Sequence, residues 1–197
     1  NISADWITKT QYHYDILDNM DWKKEYISTS TYAQTSYARD DNENLTETTQ
    51  PESNKRKVSY DDLNRVYQTT EGFGSANPLV TINVYDSNGN LTQTKIGDGG
   101  KGTTDYLYDG HNRRIRSTDA LGNYTVTGYD SNGNVTRTAR YNMSNQLLSE
   151  TFYDFDELNR MWQMTEKKFD TIGGTVTNVI TTYWHDKKGR RWKVVDA

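Results

Sequence analysis

Cysteine is absent from the 197 residues, and proline occurs only twice, at Pro51 and Pro78. Without thiols the chain can form neither a disulfide framework nor a thiolate metal site. No segment approaches the roughly 20 consecutive apolar residues of a membrane-spanning helix. The net charge of −4 and the pI of about 5.4 exclude the basic surface of a typical nucleic-acid-binding domain. The composition therefore predicts no membrane insertion and no nucleic-acid partner.

Apolar residues are also scarce, at 32% of the chain, against roughly 45–50% in an average globular domain. Such scarcity is typical of disordered chains, but those also carry a high net charge and few aromatic residues. Here the net charge is small, and 15 Tyr, 5 Trp and 4 Phe supply aromatic surface. The composition therefore predicts an ordered chain with a thin core, in which aromatic side chains replace aliphatic ones.

One short phrase recurs along the chain: an aromatic residue, Asp, two variable residues, Gly or Asn, and then Asn or Arg. Two copies, Tyr85–Leu91 and Tyr129–Val135, are nearly identical. Eight copies follow one another at a mean interval of about 24 residues, which indicates a repeat architecture. The Asp residues of the copies are Asp15, Asp40, Asp61, Asp86, Asp109, Asp130, Asp156 and Asp186. The prediction is a single array over residues 1–197 that is part of a longer chain or polymer.

Each position of the phrase suits a tight turn that begins at the Asp, which we number turn position 1. Its carboxylate can accept backbone N–H groups within a type I turn. Position 4 is Gly or Asn, which tolerate positive φ; Asp18 is an acceptable substitute and Glu43 breaks the rule. A type I turn followed by a left-handed residue makes a bulged hairpin, which pairs the aromatic residue with the residue five after Asp. The predicted turn-motif residues are Tyr14, Asp15, Asp40, Tyr60, Asp61, Asn64, Tyr85, Asp86, Gly89, Tyr108, Asp109, Asn112, Tyr129, Asp130, Gly133, Phe155, Asp156, Asn159, Asp186 and Gly189.

The segments between the turns are rich in Thr, Val, Ile, Tyr and Trp, which favour strands. A short helical turn is predicted only for residues 18–28. The predicted fold class is therefore all-β, with tandem β-hairpins that wind into a spiralling, solenoid-like or shell-forming β-sheet.

The Tyr-Asp phrase, together with Thr118–Asn123 leading into Tyr129-Asp130, resembles the YD repeats, also called Rhs repeats. The resemblance covers residues 10–197. The family includes bacterial Rhs toxins, the cocoon subunits of insecticidal toxin complexes, and teneurins. Membership implies a spiralling sheet that forms a hollow toxin shell, in a secreted or cell-surface protein. The chain departs from the family in having only eight repeats and no Asp-Pro phrase, so encapsulation and self-cleavage are not implied.

No catalytic or metal-binding residues are predicted. His13, His111 and His185 lack metal-ligand spacing. The segment Gly97–Gly102 matches a dinucleotide-binding phrase, but it precedes a predicted strand instead of the required helix. Asp86–Asn90 resembles a calcium loop with its Gly at the wrong position. We therefore expect no enzyme activity, no cofactor and no metal.

Two other features leave alternatives open. Exposed Tyr and Trp can stack on sugar rings, so a carbohydrate-binding module is the alternative to a structural scaffold; its candidate residues are Trp162, Trp184 and Trp192. Sequons predict N-glycosylation at Asn44, Asn90, Asn123, Asn134 and Asn142. The first hypothesis is a non-enzymatic shell, stalk or fibre segment at the cell surface or outside the cell, able to stack end to end as a filament. Its partners are neighbouring YD repeats of the same chain or another copy, and possible glycans.

Overall fold

The structure, a computed structural model, describes residues 9–97, 102–169 and 176–196, with the side chains of residues 176 and 196 left undescribed. These residues form sixteen β-strands and no helix. The strands are β1 Lys9–Tyr14, β2 Met20–Tyr26, β3 Tyr32–Arg39, β4 Leu45–Thr49, β5 Lys55–Tyr60, β6 Val66–Glu71, β7 Leu79–Tyr85, β8 Leu91–Ile96, β9 Thr104–Tyr108, β10 Arg114–Thr118, β11 Tyr124–Tyr129, β12 Val135–Tyr141, β13 Leu147–Phe155, β14 Met161–Phe169, β15 Val176–His185 and β16 Arg191–Asp196.

The described chain divides into two compact units, residues 9–84 with 95–97, and residues 85–94 with 102–169 and 176–196. In the first unit each strand from β2 to β7 pairs antiparallel with the strand before it. In the second unit β9 to β16 follow β8 in the same way. The predicted all-β fold of tandem hairpins is confirmed. The single array over residues 1–197 stays a prediction.

The predicted helical turn within residues 18–28 is wrong, because Met20–Tyr26 is strand β2. Its sequence, Met-Asp-Trp-Lys-Lys-Glu-Tyr, is hydrogen-bonded on both sides, by β1 and by β3. Two strand partners satisfy the backbone N–H and C=O groups that a helix would satisfy internally. Tertiary pairing therefore overrides a weak local preference for helix.

The predicted hairpin register is confirmed at seven YD turns, four of which pair an aromatic with an apolar residue. The aromatic residue pairs with the residue five after Asp, as in Tyr60 with Val66 and Phe155 with Met161. Tyr14 with Met20 and Tyr129 with Val135 pair in the same way. The register shifts by one residue beside each of these pairs, as a bulge requires. The hairpins therefore share one turn geometry.

The core is thin. Among the described residues, Val58 and Ala139 are the only buried apolar side chains, and they are joined by the polar Thr70, Glu150 and Thr181. Sheets of this kind stay folded through pair contacts across strands more than through a deep apolar layer. Aromatic rings and cations supply many of these contacts.

The second unit shows how the rings and cations combine on one surface. The Arg116 guanidinium lies 3.8 Å from the centre of the Tyr124 ring, and that ring stacks on Tyr141 at 4.8 Å. The Tyr141 hydroxyl accepts a hydrogen bond from Arg137, which also pairs with buried Glu150 at 2.6 Å. Contacts between cations and ring faces contribute about 0.5–2 kcal/mol each, depending on exposure. Polar and aromatic side chains therefore supply many of the packing contacts that aliphatic side chains supply in an average globular domain.

Candidate functional site: the row of YD turns

Every YD turn closes with the same two backbone hydrogen bonds. The N–H of position 1 donates to the carbonyl of position 5, and the N–H of position 4 donates to the carbonyl of position 1. In the turn at Asp109 these bonds measure 2.9 and 3.1 Å, and in the turn at Asp156 both measure 2.9 Å. All eight YD turns have this pattern. The constant backbone places corresponding side chains of successive turns in equivalent positions.

The Asp carboxylate organises each turn from inside. In the turn at Asp109, Oδ1 accepts the backbone N–H groups of His111 at 2.9 Å and Arg113 at 3.0 Å. Oδ2 accepts the Nε–H of Arg113 at 2.8 Å. The same two backbone bonds to Oδ1 occur in the other seven YD turns. The carboxylate thus satisfies backbone donors that the strands leave unpaired.

These hydrogen bonds favour the ionised carboxylate. The side chain of Arg113 lowers the pKa of Asp109 to about 2, and Arg160 does the same for Asp156. Where position 5 is Asn, the Asn90 amide lowers the pKa of Asp86. A carboxylate that accepts several N–H bonds is expected to titrate below its ordinary value. The turns are therefore built on charged Asp at neutral pH.

Turn position 4 has positive φ whether or not its residue favours it. Gly133 has a φ of 89° and Asn64 a φ of 57°, as their chemistry predicts. Asp18 and Glu43 have φ values of 64° and 66°. The backbone of the bulged turn therefore imposes the left-handed conformation on Glu43, which gains nothing from it.

Side chains link one YD turn to the next through two alternating turn types. The Asn-type turns, 40–44, 86–90 and 130–134, have Asn at positions 3 and 5. The Arg-type turns that follow them, 61–65, 109–113 and 156–160, have Asn at position 4 and Arg at position 5. This alternation is visible in the sequence, and it gives the repeats a period of two hairpins.

Each Asn-type turn donates two amide hydrogen bonds to the following Arg-type turn. Asn88 and Asn90 donate from Nδ2 to Oδ1 of Asn112, at 3.3 and 2.9 Å. Asn132 and Asn134 donate to Asn159 at 3.0 and 2.9 Å, and the first unit repeats the pattern at Asn64. Position 4 of the Arg-type turn therefore serves twice, as the left-handed residue and as the acceptor for its neighbour.

Each Arg-type turn of the second unit reaches the next turn through its arginine. Arg113 donates to the backbone carbonyl of Asp130 at 2.9 Å, and Arg160 donates to that of Asp186 at 3.4 Å. The Asn and Arg bonds together connect five successive turns, from 86–90 to 186–190. We call this connected set the turn ladder.

The motif tyrosine forms a third link. The Tyr108 hydroxyl donates to the carbonyl of Leu91, the first residue after the preceding YD turn, at 2.9 Å. Tyr60 and Tyr129 make the same bond to Leu45 and Arg114, both at 3.0 Å. Phe155 has no hydroxyl for such a bond. The preference for Tyr in the phrase is thus explained by a hydrogen bond between hairpins, which sequence reasoning missed.

Three connecting turns between hairpins adopt the same backbone without the Tyr-Asp phrase. They begin at Gln50, Asp119 and Asn142 and close with the same pair of hydrogen bonds. Asn142 replaces the Asp carboxylate with its own Oδ1, which accepts two backbone N–H groups. From the sequence, Thr118–Asn123 contributed only to the family resemblance, and the equivalence of the three connecting turns was missed.

The model of the RHS repeat family matches residues 85–124. This segment contains the Asn-type turn at Asp86, the Arg-type turn at Asp109 and the connecting turn at Asp119. Residues 85–124 are an RHS repeat. The resemblance to the YD-repeat family is thereby confirmed.

The chain is similar in fold to short stretches of solved structures that are much longer than it is. The crystal structure of TcdB2-TccC3-Cdc42 matches 98% of this chain with a TM-score of 0.75 and 16% identity, over 11% of its own length. That of TcdB2-TccC3 without its hypervariable C-terminal region matches 98% with a TM-score of 0.73 and 16% identity, also over 11%. The Tc holotoxin pore of Photorhabdus luminescens matches 92% with a TM-score of 0.58 and 12% identity, over 12%. The chain thus spans about a tenth of the structures that it matches in fold.

No curated protein matches the chain in sequence.

The part of the chain that the structure describes contains no helix long and apolar enough to cross a membrane. Nor do the described residues bring together three His, Asp or Glu side chains that could hold a metal ion. His13 stacks on Trp22 at 5.2 Å, and its Nδ1 lies 3.0 Å from Asp21. Most of the phrase Gly97–Gly102 lies outside the described residues, and strand β9 follows it.

The three candidate tryptophans do not line the shallow depression between strands β10, β11 and β12. Trp162 is 42% exposed, Trp184 37% and Trp192 64%. The Lys193 ammonium lies 4.8 Å from the Trp184 ring centre, and among the described residues no ring contact joins two of the three tryptophans. The depression lies beside Tyr124 and Tyr141 instead. Carbohydrate binding by the tryptophans stays a prediction.

The sequon residues differ in how their amide hydrogens are used. The Nδ2 groups of Asn90 and Asn134 each donate to the Asp of their own turn and to the next turn, and Asn44 does the same. Among the described residues, Nδ2 of Asn123 donates to Asp119 and that of Asn142 to Gln146, both inside their own turns. An N-linked sugar replaces one of the two hydrogens, so at the first three positions it competes with a bond to the next turn, and at the last two it competes only with bonds inside the turn.

Proposed function

We propose that the chain is a scaffold segment in the wall of a large hollow assembly, with no enzymatic role. The observation that carries this proposal is the turn ladder. Successive hairpins are joined through backbone pairing, through Asn and Arg side chains at the turns and through the motif tyrosines. Such nearest-neighbour bonding lets a sheet grow by adding hairpins without a deep core. It suits a wall better than a compact globule.

The structural neighbours support the shell form of this scaffold. They include crystal structures of TcdB2-TccC3 and the structure of a Tc holotoxin pore. This chain corresponds in fold to about a tenth of each of those longer chains. We therefore propose that its partners are further YD repeats of the same assembly, and that the assembly acts outside the cell or at its surface.

Electron microscopy of the complete protein that contains this segment tests the proposal. The expected result is a hollow particle whose wall is one sheet thick, with this segment located by an inserted tag in the connecting turn at Asp119. Filaments formed by the 197-residue chain alone would support the fibre form of the scaffold. Compact, dispersed particles with closed ends for both samples would contradict both forms.

The location outside the cell is tested separately. Antibody detection in culture medium, cell-surface and cytosolic fractions is expected to find the protein in the first two. A cytosolic enzyme of the same cells serves as the control for lysis. Retention of the intact protein in the cytosol alone would contradict the proposed location.

A further inference from the structure

Two Asn-Gly pairs occur in the described chain, and both lie in the turn ladder. Asn88-Gly89 and Asn132-Gly133 occupy positions 3 and 4 of Asn-type turns. Asn is among the thermally labile residues. When Gly follows it, no Cβ hinders approach of the following backbone nitrogen to the Asn side chain. Among the Asn residues of the chain, Asn88 and Asn132 are therefore the most prone to deamidation.

The reaction at such a pair has a defined course. The Gly nitrogen attacks Cγ of Asn, a C–N bond forms, the nitrogen gives up its proton, and ammonia leaves with the former side-chain nitrogen. Water then opens the cyclic imide to Asp or to isoaspartate. The Gly nitrogen must be free to turn toward Cγ, and the Asn side chain must be free to rotate toward it.

The folded turn engages both reacting groups. The N–H of Gly89 donates to the carbonyl of Asp86 at 3.1 Å, and that of Gly133 donates to Asp130 at 3.2 Å. The Asn88 amide is directed to Asn112 of the next turn, at 3.3 Å, and the Asn132 amide to Asn159, at 3.0 Å. The nitrogen is therefore held by one bond inside the turn, and the side chain by one bond between turns.

We propose that Asn88 and Asn132 are deamidation sites controlled by the turn ladder. The closed ladder keeps both amides unreactive, and opening of the link to the next turn releases them. Deamidation then replaces the donor amide by a carboxylate, which has no hydrogen to donate to Asn112 or Asn159. The bond donated by Asn88 or Asn132 cannot re-form, while the bond from Asn90 or Asn134 to the same acceptor is kept. Each event is therefore a permanent chemical mark that a turn has opened.

Substitution of the acceptor tests this control without disturbing the backbone. Asn112→Gly removes the Oδ1 acceptor and puts at position 4 the residue that the turns at Gly89, Gly133 and Gly189 already have there. Peptide mapping by mass spectrometry follows the folded protein in mildly alkaline buffer. Deamidation is expected to rise about fivefold to tenfold at Asn88, as for loss of one or two hydrogen bonds, and to stay unchanged at Asn132.

Matched variants separate local opening from unfolding. Asn159→Gly is expected to accelerate Asn132 alone. Asn64→Gly, the same change in a turn without an Asn-Gly neighbour, is expected to accelerate neither site. The wild-type chain in denaturant supplies the rate of the fully open state at both. Equal rates for folded and denatured wild type would overturn the proposal, as would acceleration of both sites, or of neither, by Asn112→Gly in protein whose hydrogen exchange is still native.

Discussion

The YD turns and the connecting turns share one backbone and differ in their neighbours. Both close with the same pair of hydrogen bonds and have a left-handed residue at position 4. The YD turns of the second unit also bond to one another through Asn and Arg side chains. The connecting turns at Asp119 and Asn142 are joined by a Tyr124 hydroxyl bond to Asn145, at 2.9 Å. Local turn chemistry is thus common to both, while the repeated linkage is a property of the YD turns.

The difference explains where the repeat varies. Each YD turn has five residues from Asp to the last turn residue, because a change in length would move its side chains away from the adjacent turn. Connections between hairpins differ in length and in sequence. The irregular spacing of the motif Asp therefore arises in the strands and connections.

The largest expected loss of stability comes from adding a Cβ at turn position 4, and its size is expected to differ between a YD turn and a connecting turn. Gly133→Ala in a YD turn is expected to lower the free energy of unfolding by about 1–2 kcal/mol, the strain of a left-handed Ala. Gly122→Ala in a connecting turn is expected to cost about 2–3 kcal/mol, because its Cβ would also lie 3.3 Å from the Met143 Cβ. Urea denaturation measures both.

Gly128→Ala provides the control, since Gly128 lies within strand β11 without a positive φ. It is expected to be near neutral. Equal costs for all three substitutions would show that the left-handed position carries no special strain.

Removing a link between hairpins is expected to cost about 1 kcal/mol. Tyr108→Phe loses the hydroxyl bond to the Leu91 carbonyl. Phe155→Tyr offers the reverse change, and it is expected to stabilise the protein by a few tenths to about 1 kcal/mol. Thermal unfolding measures both, and a neutral Tyr108→Phe would remove the tyrosine from the links of the YD turns.

Replacing Glu43, the position 4 residue least suited to positive φ, is expected to stabilise the protein by no more than the Tyr108→Phe change destabilises it. Glu43→Gly removes a side chain from a residue with a φ of 66°, for a gain of about 0.5–1 kcal/mol. Glu52→Gly in the connecting turn, at a position without positive φ, is the control and is expected not to stabilise. A loss of stability in Glu43→Gly would contradict the strain assigned to that turn.

Acid sensitivity is expected to belong mainly to turns built on Asp. The pKa of Asp109 and Asp156 is lowered from 3.8 to about 2, so the unfolded chain binds more protons between these values. Their contribution to stability is complete above the unfolded pKa and disappears as the pH falls from about 5 to about 2. The connecting turns at Gln50 and Asn142 have no carboxylate at position 1 and lack this dependence.

NMR titration of the carboxyl carbons, with amide exchange at each turn, measures the difference. Asp109→Asn is expected to flatten the pH dependence at its own turn and leave the Asn142 turn unchanged. An ordinary carboxyl titration near 3.8 for Asp109 would contradict the lowered pKa.

The last prediction concerns N-glycosylation, which is expected to change stability least. Enzymatic transfer of a sugar to the folded protein is expected at Asn123 and Asn142 and not at Asn44, Asn90 or Asn134, because only the last three amides are also bonded to the next turn. Mass spectrometry of the glycopeptides gives the occupancy. Equal occupancy at all five would show that a bond to the next turn does not protect an Asn amide from modification.

Much of the fold could be predicted from local chemistry. Asp at position 1 and Gly or Asn at position 4 specify a bulged turn. The geometry of that turn then determines which residues pair across the hairpin. Strand β2 was mispredicted because its sequence has no strong local preference and is ordered by two neighbours. The hydroxyl bond of Tyr108 could not be predicted, because its acceptor is a backbone carbonyl that any residue provides.

The sequence by itself thus determined the turn, the hairpin register and the all-β class, since each depends on residues only a few positions apart. The tertiary structure decided which atoms of successive turns meet, and hence that Asn112 and Asn159 serve as acceptors. The physical reason is distance along the chain: contacts more than twenty residues apart form only after the hairpins have stacked, and their geometry is set by the sheet.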